Sequence, residues 1–271
     1  MRALALGCRE MGKVAITDLV KYGIYFGGSD TNNVSVNNIV DNEYGVFIGQ
    51  SLNNTICHNN FINNTQQAHT FSEGYTNVWD DGYPSGGNYW SDYTGVDLFG
   101  GPYQNMTGGD GIGDTPYTID ANNQDRYPLM APFSTFEAGV WDGTAYNVDI
   151  LSNSTVSDFK FNVDQKSIIF NVTGDNGTLG FCRVTIPKSL LCADDGWTIF
   201  VDNQPITDYT KIEDENNTYL YFTYTHSTKT VTIKGTHVIP EYPSTLILVF
   251  IMATTLITTS ILKIKKRRQF L

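Results

Sequence analysis

The feature that most constrains the fold of this chain is an internal repeat with a period of 22 residues. Residues 22–27 (YGIYFG) return as residues 44–49 (YGVFIG), and residues 34–42 (VSVNNIVDN) return as residues 56–64 (ICHNNFINN). In each copy, short runs of alternating apolar residues are separated by asparagine-rich or glycine corners, which predicts brief strands joined by tight turns. Leucine-rich repeats have a similar period, but their leucine framework is absent.

A period of about 22 residues with paired asparagines predicts an all-β fold that begins with the coils of a short right-handed parallel β-helix, three strands to a coil. Asparagine suits the corners because it tolerates left-handed backbone angles and because its amide stacks in ladders between coils. A flat antiparallel sheet with a coincidental repeat is the alternative. The side chains predicted to point into the β-helix are Ile24, Phe26, Val34, Ile39, Val46, Ile48, Ile56 and Phe61.

From Trp79 onward the composition changes to glycine, aspartate, tyrosine and proline, which predicts ordered loops rather than further coils. An open end of stacked strands exposes strand edges and a raw core. We therefore expect an aromatic and glycine-rich cap over residues 79–137, which closes the coils of residues 1–78.

Three motifs of the cap stand out: residues 87–93 (GNYWSDY), 109–117 (GDGIGDTPY) and 125–130 (DRYPLM). With these motifs and the repeat, residues 20 to about 133 resemble the β-helix repeat proteins related to NosD and to carbohydrate-binding and sugar-hydrolysing solenoids, which are common on archaeal surfaces. Such solenoids normally have more than the two or three coils that precede this cap. The resemblance therefore implies that the chain is truncated at its N-terminus.

Aromatic side chains of the cap are candidate ligand-binding residues, because tyrosine and tryptophan rings stack on the faces of sugars. The candidates are Trp79, Tyr89, Trp90 and Tyr93. Polysaccharide or surface-layer components are then the expected partners. The alternative is that these rings form the core of the cap.

Asp110 and Asp114 lie four residues apart across glycines, in a segment that resembles the DxDGDGxGD loops of calcium-binding surface modules. Carboxylate oxygens are the ligands that calcium prefers. Because Thr107 and Gly108 stand where such loops have their preceding aspartates, Asp97 is the candidate third ligand. The alternative is an aspartate–glycine turn whose carboxylates cap neighbouring amides.

Residues 138–237 contain seven longer alternating runs, which are typical of a β-sandwich. They resemble the immunoglobulin-like spacer modules that lie near the membrane in archaeal surface proteins. Asn176-Gly177 predicts a tight hairpin turn between two runs, and His226 and His237 are predicted to be solvated. The predicted core comprises Phe159, Phe161, Ile168, Phe170, Phe181, Val184, Trp197, Ile199, Tyr219, Tyr221, Val231 and Ile233.

Residues 244–262 carry no charge, and at about 1.5 Å per residue they approach the ~30 Å hydrocarbon core, which predicts one transmembrane helix. The basic tail, residues 263–271, then stays in the cytoplasm, and the ectodomain lies outside the cell. Together with the Pro-Glu-Tyr of the linker, residues 238–243, the span and tail resemble archaeal C-terminal sorting signals, which typically carry Pro-Glu-Phe. The resemblance implies a cell-surface protein, whether the anchor is processed or retained.

Charge and sequons agree with an extracellular location. The chain has 28 acidic and 17 basic residues, a formal net charge of −11, and this field repels phosphate backbones, which argues against a nucleic-acid partner. Glycosylation is a hypothesis for eight Asn-x-Ser/Thr sites, with chance occurrence in an Asn-, Ser- and Thr-rich chain as the alternative. The sites begin at Asn33, Asn53, Asn63, Asn105, Asn153, Asn171, Asn176 and Asn216.

The four cysteines, Cys8, Cys57, Cys182 and Cys192, are too few and too scattered for a disulfide framework. No CxxC pair suggests structural zinc. Cys182 and Cys192 either close a short disulfide-bonded loop in an oxidising compartment or remain two separate thiols.

These features favour a non-enzymatic, membrane-anchored surface protein with a structural or glycan-binding role. A polysaccharide hydrolase or lyase is the first alternative, with Asp80-Asp81 as the adjacent carboxylate pair of the cap and Arg126 as its sole base. A NosD-like metal-delivery protein is the second, because copper takes soft ligands. Its candidate ligands share no recognisable spacing: Cys57, His58, His69, Met106 and Met130.

Overall fold

A computed structural model describes residues 10–12, 15–16, 21–71 and 74–238. Every regular secondary-structure element within these residues is a β-strand, as the sequence predicts for an all-β protein. These ranges contain no helix with the length and apolar character that a membrane crossing requires. The predicted transmembrane helix (residues 244–262), the basic tail (residues 263–271) and the linker after Val238 lie outside the described residues.

Nine short strands form three parallel sheets. The strands are β1 (Glu10–Gly12), β2 (Ala15–Ile16), β3 (Tyr22–Gly27), β4 (Asn33–Ser35), β5 (Asn38–Val40), β6 (Tyr44–Gly49), β7 (Thr55–Cys57), β8 (Asn60–Ile62) and β9 (Gln66–Thr70). The sheet orders are β1-β4-β7, β2-β5-β8 and β3-β6-β9. Tyr22 pairs with Tyr44, and Tyr44 pairs with Gln66, so each repeat contributes one strand to each sheet. The antiparallel alternative is therefore wrong.

The eight side chains predicted to point inward are all at most 2% exposed, which confirms the pattern of alternation. They belong to one cluster that all three sheets share. Trp79 and Trp90 of the closing segment join this cluster. The ring of Trp90 stacks on Phe61 at a centroid distance of 4.4 Å and on Tyr117 at 4.3 Å. The tryptophan thus covers the end of the stacked strands.

Buried asparagines connect successive repeats through side-chain hydrogen bonds, which confirms the predicted ladders. The three series are Asn32–Asn54–Asn77, Asn37–Asn59–Asn88 and Asn42–Asn64. The left-handed backbone angle, however, falls on the residue before the ladder asparagine, with φ of 61° at Val36 and 57° at His58. One residue turns the chain and the next one stacks, and asparagine itself takes the left-handed position at Asn53 and Asn63, with φ of 56° and 53°.

The closing segment contains five two-residue strands: β10 (Tyr89–Trp90), β11 (Phe99–Gly100), β12 (Met106–Thr107), β13 (Tyr117–Thr118) and β14 (Gln124–Asp125). Strand β10 extends the β2-β5-β8 sheet in parallel, and the other four form two antiparallel pairs. The buried carboxylate of Asp125 accepts hydrogen bonds from the backbone N–H of Asn88 (2.7 Å) and from Trp90 Nε1 (2.9 Å). This carboxylate fixes the last ladder asparagine and the covering tryptophan in one place.

The second domain consists of two five-stranded antiparallel sheets and one extra strand pair. The strands are β15 (Phe133–Trp141), β16 (Thr144–Ser152), β17 (Thr155–Asn162), β18 (Ser167–Thr173), β19 (Leu179–Pro187), β20 (Leu191–Cys192), β21 (Thr198–Val201), β22 (Gln204–Ile206), β23 (Tyr209–Glu213), β24 (Asn217–Thr225), β25 (Lys229–Lys234) and β26 (His237–Val238). The sheet orders are β15-β16-β19-β24-β23 and β17-β18-β25-β21-β22, and β20 pairs with β26. Both large sheets contribute side chains to one hydrophobic core.

All seven predicted runs of this domain are strands, and the prediction missed β15, β20, β22, β23 and β26. Eight of the twelve predicted core side chains are buried, whereas Phe159, Phe161, Phe181 and Tyr221 are half-buried. On β24 the prediction chose the wrong face: Leu220, Phe222 and Tyr224 point into the core. The strand carries apolar and aromatic residues on both faces, because its outer face is covered by the closing segment.

The predicted hairpin at Asn176-Gly177 is wrong. Gly177 has a φ of 82°, as a tight turn requires. Strands β18 and β19, however, belong to different sheets, so this turn carries the chain from one sheet to the other. A turn dipeptide predicts a reversal of direction, whereas the partner of each strand is chosen by the packing of the whole domain.

The prediction that His226 is solvated is also wrong, since the residue is only 6% exposed. Its Nε2 lies 2.7 Å from the Oγ of Ser154, and its Nδ1 lies 2.6 Å from the Oγ1 of Thr178. Gly174 and Gly180 leave the space for the ring, because a Cβ at either position would meet it at 2.6 Å. Hydrogen bonds to these two hydroxyl groups replace those that the imidazole loses when it is removed from water.

The closing segment packs against the outer face of the β15-β16-β19-β24-β23 sheet through a small apolar cluster that includes Ile112, Leu129 and Leu151. Arg183 of β19 is buried in this contact, with 3% exposure. Its guanidinium donates a hydrogen bond to the carbonyl of Pro84 and lies 4.6 Å from the ring centroid of Tyr219. A buried cation therefore joins the two parts of the molecule.

Candidate functional site

The outer face of the β3-β6-β9 sheet carries a row of partly exposed aromatic rings. Because Ile24 and Phe26 point into the core, Tyr25 between them points outward. The parallel register then places Phe47 and His69 beside Tyr25 on the next two strands. We call this surface the outer aromatic face, and it comprises Tyr22, Tyr25, Tyr44, Phe47, His69 and Phe71.

The rings of the outer aromatic face lie one strand apart and touch one another. The centroids of Tyr25 and Phe47 are 5.6 Å apart with an interplanar angle of 18°, and those of Phe47 and Phe71 are 6.2 Å apart at 28°. Tyr22 lies 4.9 Å from Phe47. Phe71 is 73% exposed, so a large part of one ring faces solvent.

Glycines keep the ring faces uncovered. Tyr22, Tyr25, Phe47 and Phe71 line a depression of about 550 Å³ together with Gly27, Gly28, Gly49 and Gln50. A Cβ at Gly27 would lie 2.7 Å from the Tyr25 ring, so no larger residue fits there without moving the ring. The ammonium group of Lys21 lies 5.1 Å from the ring centroid of Tyr22. A hydrogen bond between the side chains of Lys21 and Tyr22 raises the pKa of the lysine. The result is an apolar floor with polar groups at its edge.

The sequence contained a signal for this face. The copies YGIYFG and YGVFIG alternate in phase, so their outward positions must coincide once the inward ones are assigned. The aromatic candidates were instead sought in the cap, where tryptophan and tyrosine are most concentrated.

The four predicted ligand-binding aromatics of the cap do not form one platform. Trp79 and Trp90 are each 1% exposed and belong to the core. Tyr89 is half-buried and lines a cavity of about 540 Å³ between the closing segment and the second domain. The hydroxyl of Tyr93 donates to the carbonyl of Thr115 (2.6 Å). This placement matches the alternative in which the rings form the core of the cap.

The three predicted calcium ligands each hold backbone amides. Asp97 accepts hydrogen bonds from the N–H groups of Asp110 (2.9 Å) and Gly111 (2.8 Å). Asp110 accepts one from Ile112 (3.1 Å), and Asp114 accepts those of Leu98 and Phe99 (both 3.1 Å). Among the described residues, these carboxylates are not part of a group at metal-binding separation. The geometry is that of the alternative, in which carboxylates cap a glycine-rich turn.

One buried and two half-buried carboxyl groups predict that stability falls as pH rises. Burial raises the pKa of Asp125 to about 7 and the pKa values of Asp97 and Asp149 to about 6. The unfolded pKa is about 3.9, so the native state holds extra protons between roughly pH 4 and 7. The stability from these groups is complete below pH 4 and is lost as pH rises through 6 to 7.

Asp149→Asn is expected to reduce this loss, because the amide keeps an acceptor for the hydroxyl of Thr135 (2.8 Å) and cannot ionise. Urea unfolding at pH 4.5 and pH 7.5 measures the difference for each protein. The matched control is Asp158→Asn on the neighbouring β17, an exposed carboxyl. Equal pH dependence in wild type and Asp149→Asn would show that Asp149 ionises normally.

The carboxylate pair of the hydrolase alternative is separated by its contacts. Asp80 is 4% exposed and forms an ion pair with Arg126, whose Nη2 lies 2.6 Å from Oδ1. Asp81 is exposed and accepts a hydrogen bond from Ser85 (2.8 Å). The predicted base thus neutralises the first acid and holds the chain around it.

Cys182 and Cys192 are separate thiols, so the disulfide alternative is wrong and the other is confirmed. Cys182 is fully buried in the core of the second domain. Cys192 is half-buried on β20, opposite His237 on β26. His237 is 50% exposed, as predicted.

Seven of the eight sequon asparagines are exposed, and Asn171 is half-buried. The amide of Asn153 donates to the carbonyl of Leu179 (3.0 Å), and that of Asn171 donates to Asp158 (2.9 Å). The exposure of the remaining six asparagines makes their modification sterically feasible, and glycosylation stays a hypothesis.

The fold and the site define an all-β protein with parallel strand repeats and an exposed aromatic face. Residues 13–95 match a family model described as periplasmic copper-binding protein (NosD). This match covers strands β2 to β10, and it supports the NosD-like resemblance. Comparison with curated proteins gave no significant match, and neither did comparison with solved structures.

Three of the five predicted copper ligands, Cys57, His58 and His69, lie in separate surroundings. Burial raises the pKa of Cys57 to about 12 and lowers that of His58, whose ring stacks on Phe133 at 4.7 Å. His69 lies 5.0 Å from Phe47 within the outer aromatic face. Among the described residues, neither histidine nor Cys57 belongs to a group of converging ligands. Cys57, His58 and His69 therefore do not form a preformed copper site in the part of the chain that the structure describes.

Proposed function

We propose that this chain is a non-enzymatic protein of the cell surface that binds neutral polysaccharide on the outer aromatic face. In this proposal the repeats are coils of a right-handed parallel β-helix, and residues 138–237 are an immunoglobulin-like spacer. Residues 244–262 anchor the protein in the membrane, with the ectodomain outside the cell. The match of residues 13–95 to a family described as periplasmic supports an extracytoplasmic location.

The observation that carries the proposal is the row of aromatic rings whose faces remain open along successive strands. Leaving a ring such as Phe71 in water forgoes the free energy of apolar burial, and exposed apolar patches with polar rims mark interaction sites. A pyranose ring offers C–H groups on one face and hydroxyls at its edge. It therefore matches an aromatic floor bordered by Lys21, Gln50 and the tyrosine hydroxyls.

The charge of the chain selects among polysaccharides. A net charge of −11 repels polyanions at long range. Neutral chains suffer no such repulsion, and an aromatic floor requires no charge on its ligand. We therefore place uronic-acid-rich and sulfated polymers among the weak ligands.

Phe47→Ala is expected to weaken binding to a neutral polysaccharide about tenfold, which corresponds to about 1.4 kcal/mol. Phe47 is the appropriate target because it contacts Tyr22, Tyr25 and Phe71, so its loss interrupts the floor. Affinity gel electrophoresis against soluble glucans, mannans and galactans measures the retardation of each variant.

The matched control is Tyr103→Ala, which removes a ring that is 83% exposed and lies outside the outer aromatic face. We expect this variant to migrate like wild type in every gel. Two results would contradict the proposal: equal retardation of wild type and Phe47→Ala, or no retardation of wild type by any neutral polymer. Circular dichroism of both variants checks that the fold is intact.

A further inference from the structure

A second candidate site lies in the second domain, where β20 and β26 pair. Cys192 and His237 are direct partners in this antiparallel register. Side chains of directly opposed residues leave a sheet on the same side, with Cβ atoms about 4.5–5.5 Å apart. The thiol and the imidazole are therefore held next to each other by backbone pairing.

Asp194 completes a group of three ligand atoms. The Sγ of Cys192, a carboxylate oxygen of Asp194 and a ring nitrogen of His237 all lie within 4.8 Å of one another. The Nδ1 of His237 is 3.1 Å from the Oδ2 of Asp194. Ligand atoms around a tetrahedral zinc ion lie about 3.3–3.8 Å apart, given bonds of about 2.0–2.3 Å. The Asp194–His237 separation is already close to this range, and the sulfur lies within 4.8 Å of both partners.

The backbone around this group is held in place. The N–H of Thr236 donates to the carbonyl of Cys192 (2.8 Å), and the N–H of Asp194 donates to the hydroxyl of Thr236 (3.0 Å). Leu191 and Val238, the other pair of this ladder, are buried in the core. Two hydrogen bonds and two buried anchors restrict the ligands before any ion arrives, which lowers the cost of binding.

We propose that Cys192, Asp194 and His237 bind a divalent transition-metal ion, for which Zn²⁺ is the representative. Thiolate, carboxylate and imidazole together suit zinc and its neighbours rather than calcium or magnesium, which prefer oxygen alone. Three protein ligands leave a fourth coordination position for water or another group. Asp194 and His237 are 69% and 50% exposed, so an ion reaches the site directly from solvent.

The alternative is that Asp194 and His237 form an ion pair in which Cys192 takes no part. An ion pair needs a protonated imidazole and involves no sulfur. A metal site needs the thiolate, so a spectroscopic signal from sulfur distinguishes the two. Neither arrangement depends on the outer aromatic face, which belongs to the other end of the chain.

Cobalt titration of the full-length chain, purified in a mild detergent and freed of metal with a chelator, tests the proposal. Co²⁺ is expected to produce a near-ultraviolet thiolate-to-metal charge-transfer band, which Zn²⁺ then abolishes by displacement. Cys192→Ser is expected to lose this band, and His237→Gln is expected to weaken Zn²⁺ binding at least tenfold by calorimetry. Asp195→Asn, which removes the adjacent exposed carboxylate, is the matched control and should behave like wild type.

A wild-type chain without the charge-transfer band would overturn the proposal. So would a band that persists in Cys192→Ser, because it would come from another thiol of the chain. Unchanged zinc affinity in His237→Gln would also refute it, and this variant is chosen because an exposed imidazole contributes little to folding. Thermal unfolding of each metal-free variant confirms that it is folded before titration.

Discussion

Replacing Arg183 with methionine is expected to destabilise the protein at pH 7 by about 3 kcal/mol, because a buried hydrogen bond is lost and the buried carboxyl group of Asp110 loses a nearby compensating charge. Methionine keeps the apolar stem but removes the hydrogen bond to Pro84 and the cation beside Tyr219. Asp110, which is fully buried, would then lack the positive charge that offsets its desolvation. Urea unfolding followed by tryptophan fluorescence measures the change.

The pH dependence of this effect identifies its cause. Without Arg183, the pKa of Asp110 rises further above its ordinary value, because burial then acts without its main opposing charge. The destabilisation should therefore become smaller as pH falls and Asp110 takes up a proton, and Asp110→Asn should restore part of the lost stability at pH 7. Lys211→Met, which breaks an exposed pair with Glu213, is the control and should cost less than 1 kcal/mol. A pH-independent loss would mean that lost packing, not charge, is responsible.

Truncation of Asn59 to alanine is expected to cost about 3–5 kcal/mol, because several buried partners lose their hydrogen bonds at once and each costs about 1–3 kcal/mol. Its amide donates to the carbonyls of Val34 (2.9 Å) and Cys57 (3.0 Å) and to Asn88 Oδ1 (3.1 Å). Its oxygen accepts from the backbone and side-chain nitrogens of Asn37 (3.1 and 3.0 Å).

Asn33→Ala is the matched control for Asn59→Ala. Asn33 lies on β4 in the same stack but is exposed, so its replacement should change stability by less than about 0.5 kcal/mol. Chemical denaturation followed by far-ultraviolet circular dichroism compares the two variants. If both lose similar stability, the ladders are incidental to the stack, and inward apolar packing alone holds the repeats together.

Much of the fold was predictable from the sequence because its signal is periodic. Every one of the predicted inward side chains of the repeat is buried, and all seven predicted runs of the second domain are strands. Pairing between elements was less predictable. Asn176-Gly177 reads as a hairpin, yet β18 and β19 lie in different sheets, because local turn geometry does not specify the partner of a strand.

The candidate sites were predictable only in part. Cys192 and His237 are 45 residues apart in sequence, and only the β20–β26 pairing makes them neighbours. Asp97, Asp110 and Asp114 do lie near one another along the chain, but their oxygens hold backbone amides instead of facing a common centre. Residue type and spacing therefore indicate which side chains lie close together. They do not indicate which groups the side-chain atoms bind.

The sequence by itself determined the 22-residue register, the inward face of each repeat and the β character of both domains. These properties follow from alternation and from hydrogen bonding of asparagine, which are local and repeat along the chain. Only the tertiary structure decided that Trp79 and Trp90 are core, that Tyr25 and Phe47 are partly exposed, and that Arg183 is buried. Exposure depends on which surfaces other segments cover, and that coverage is set by contacts between residues distant in sequence.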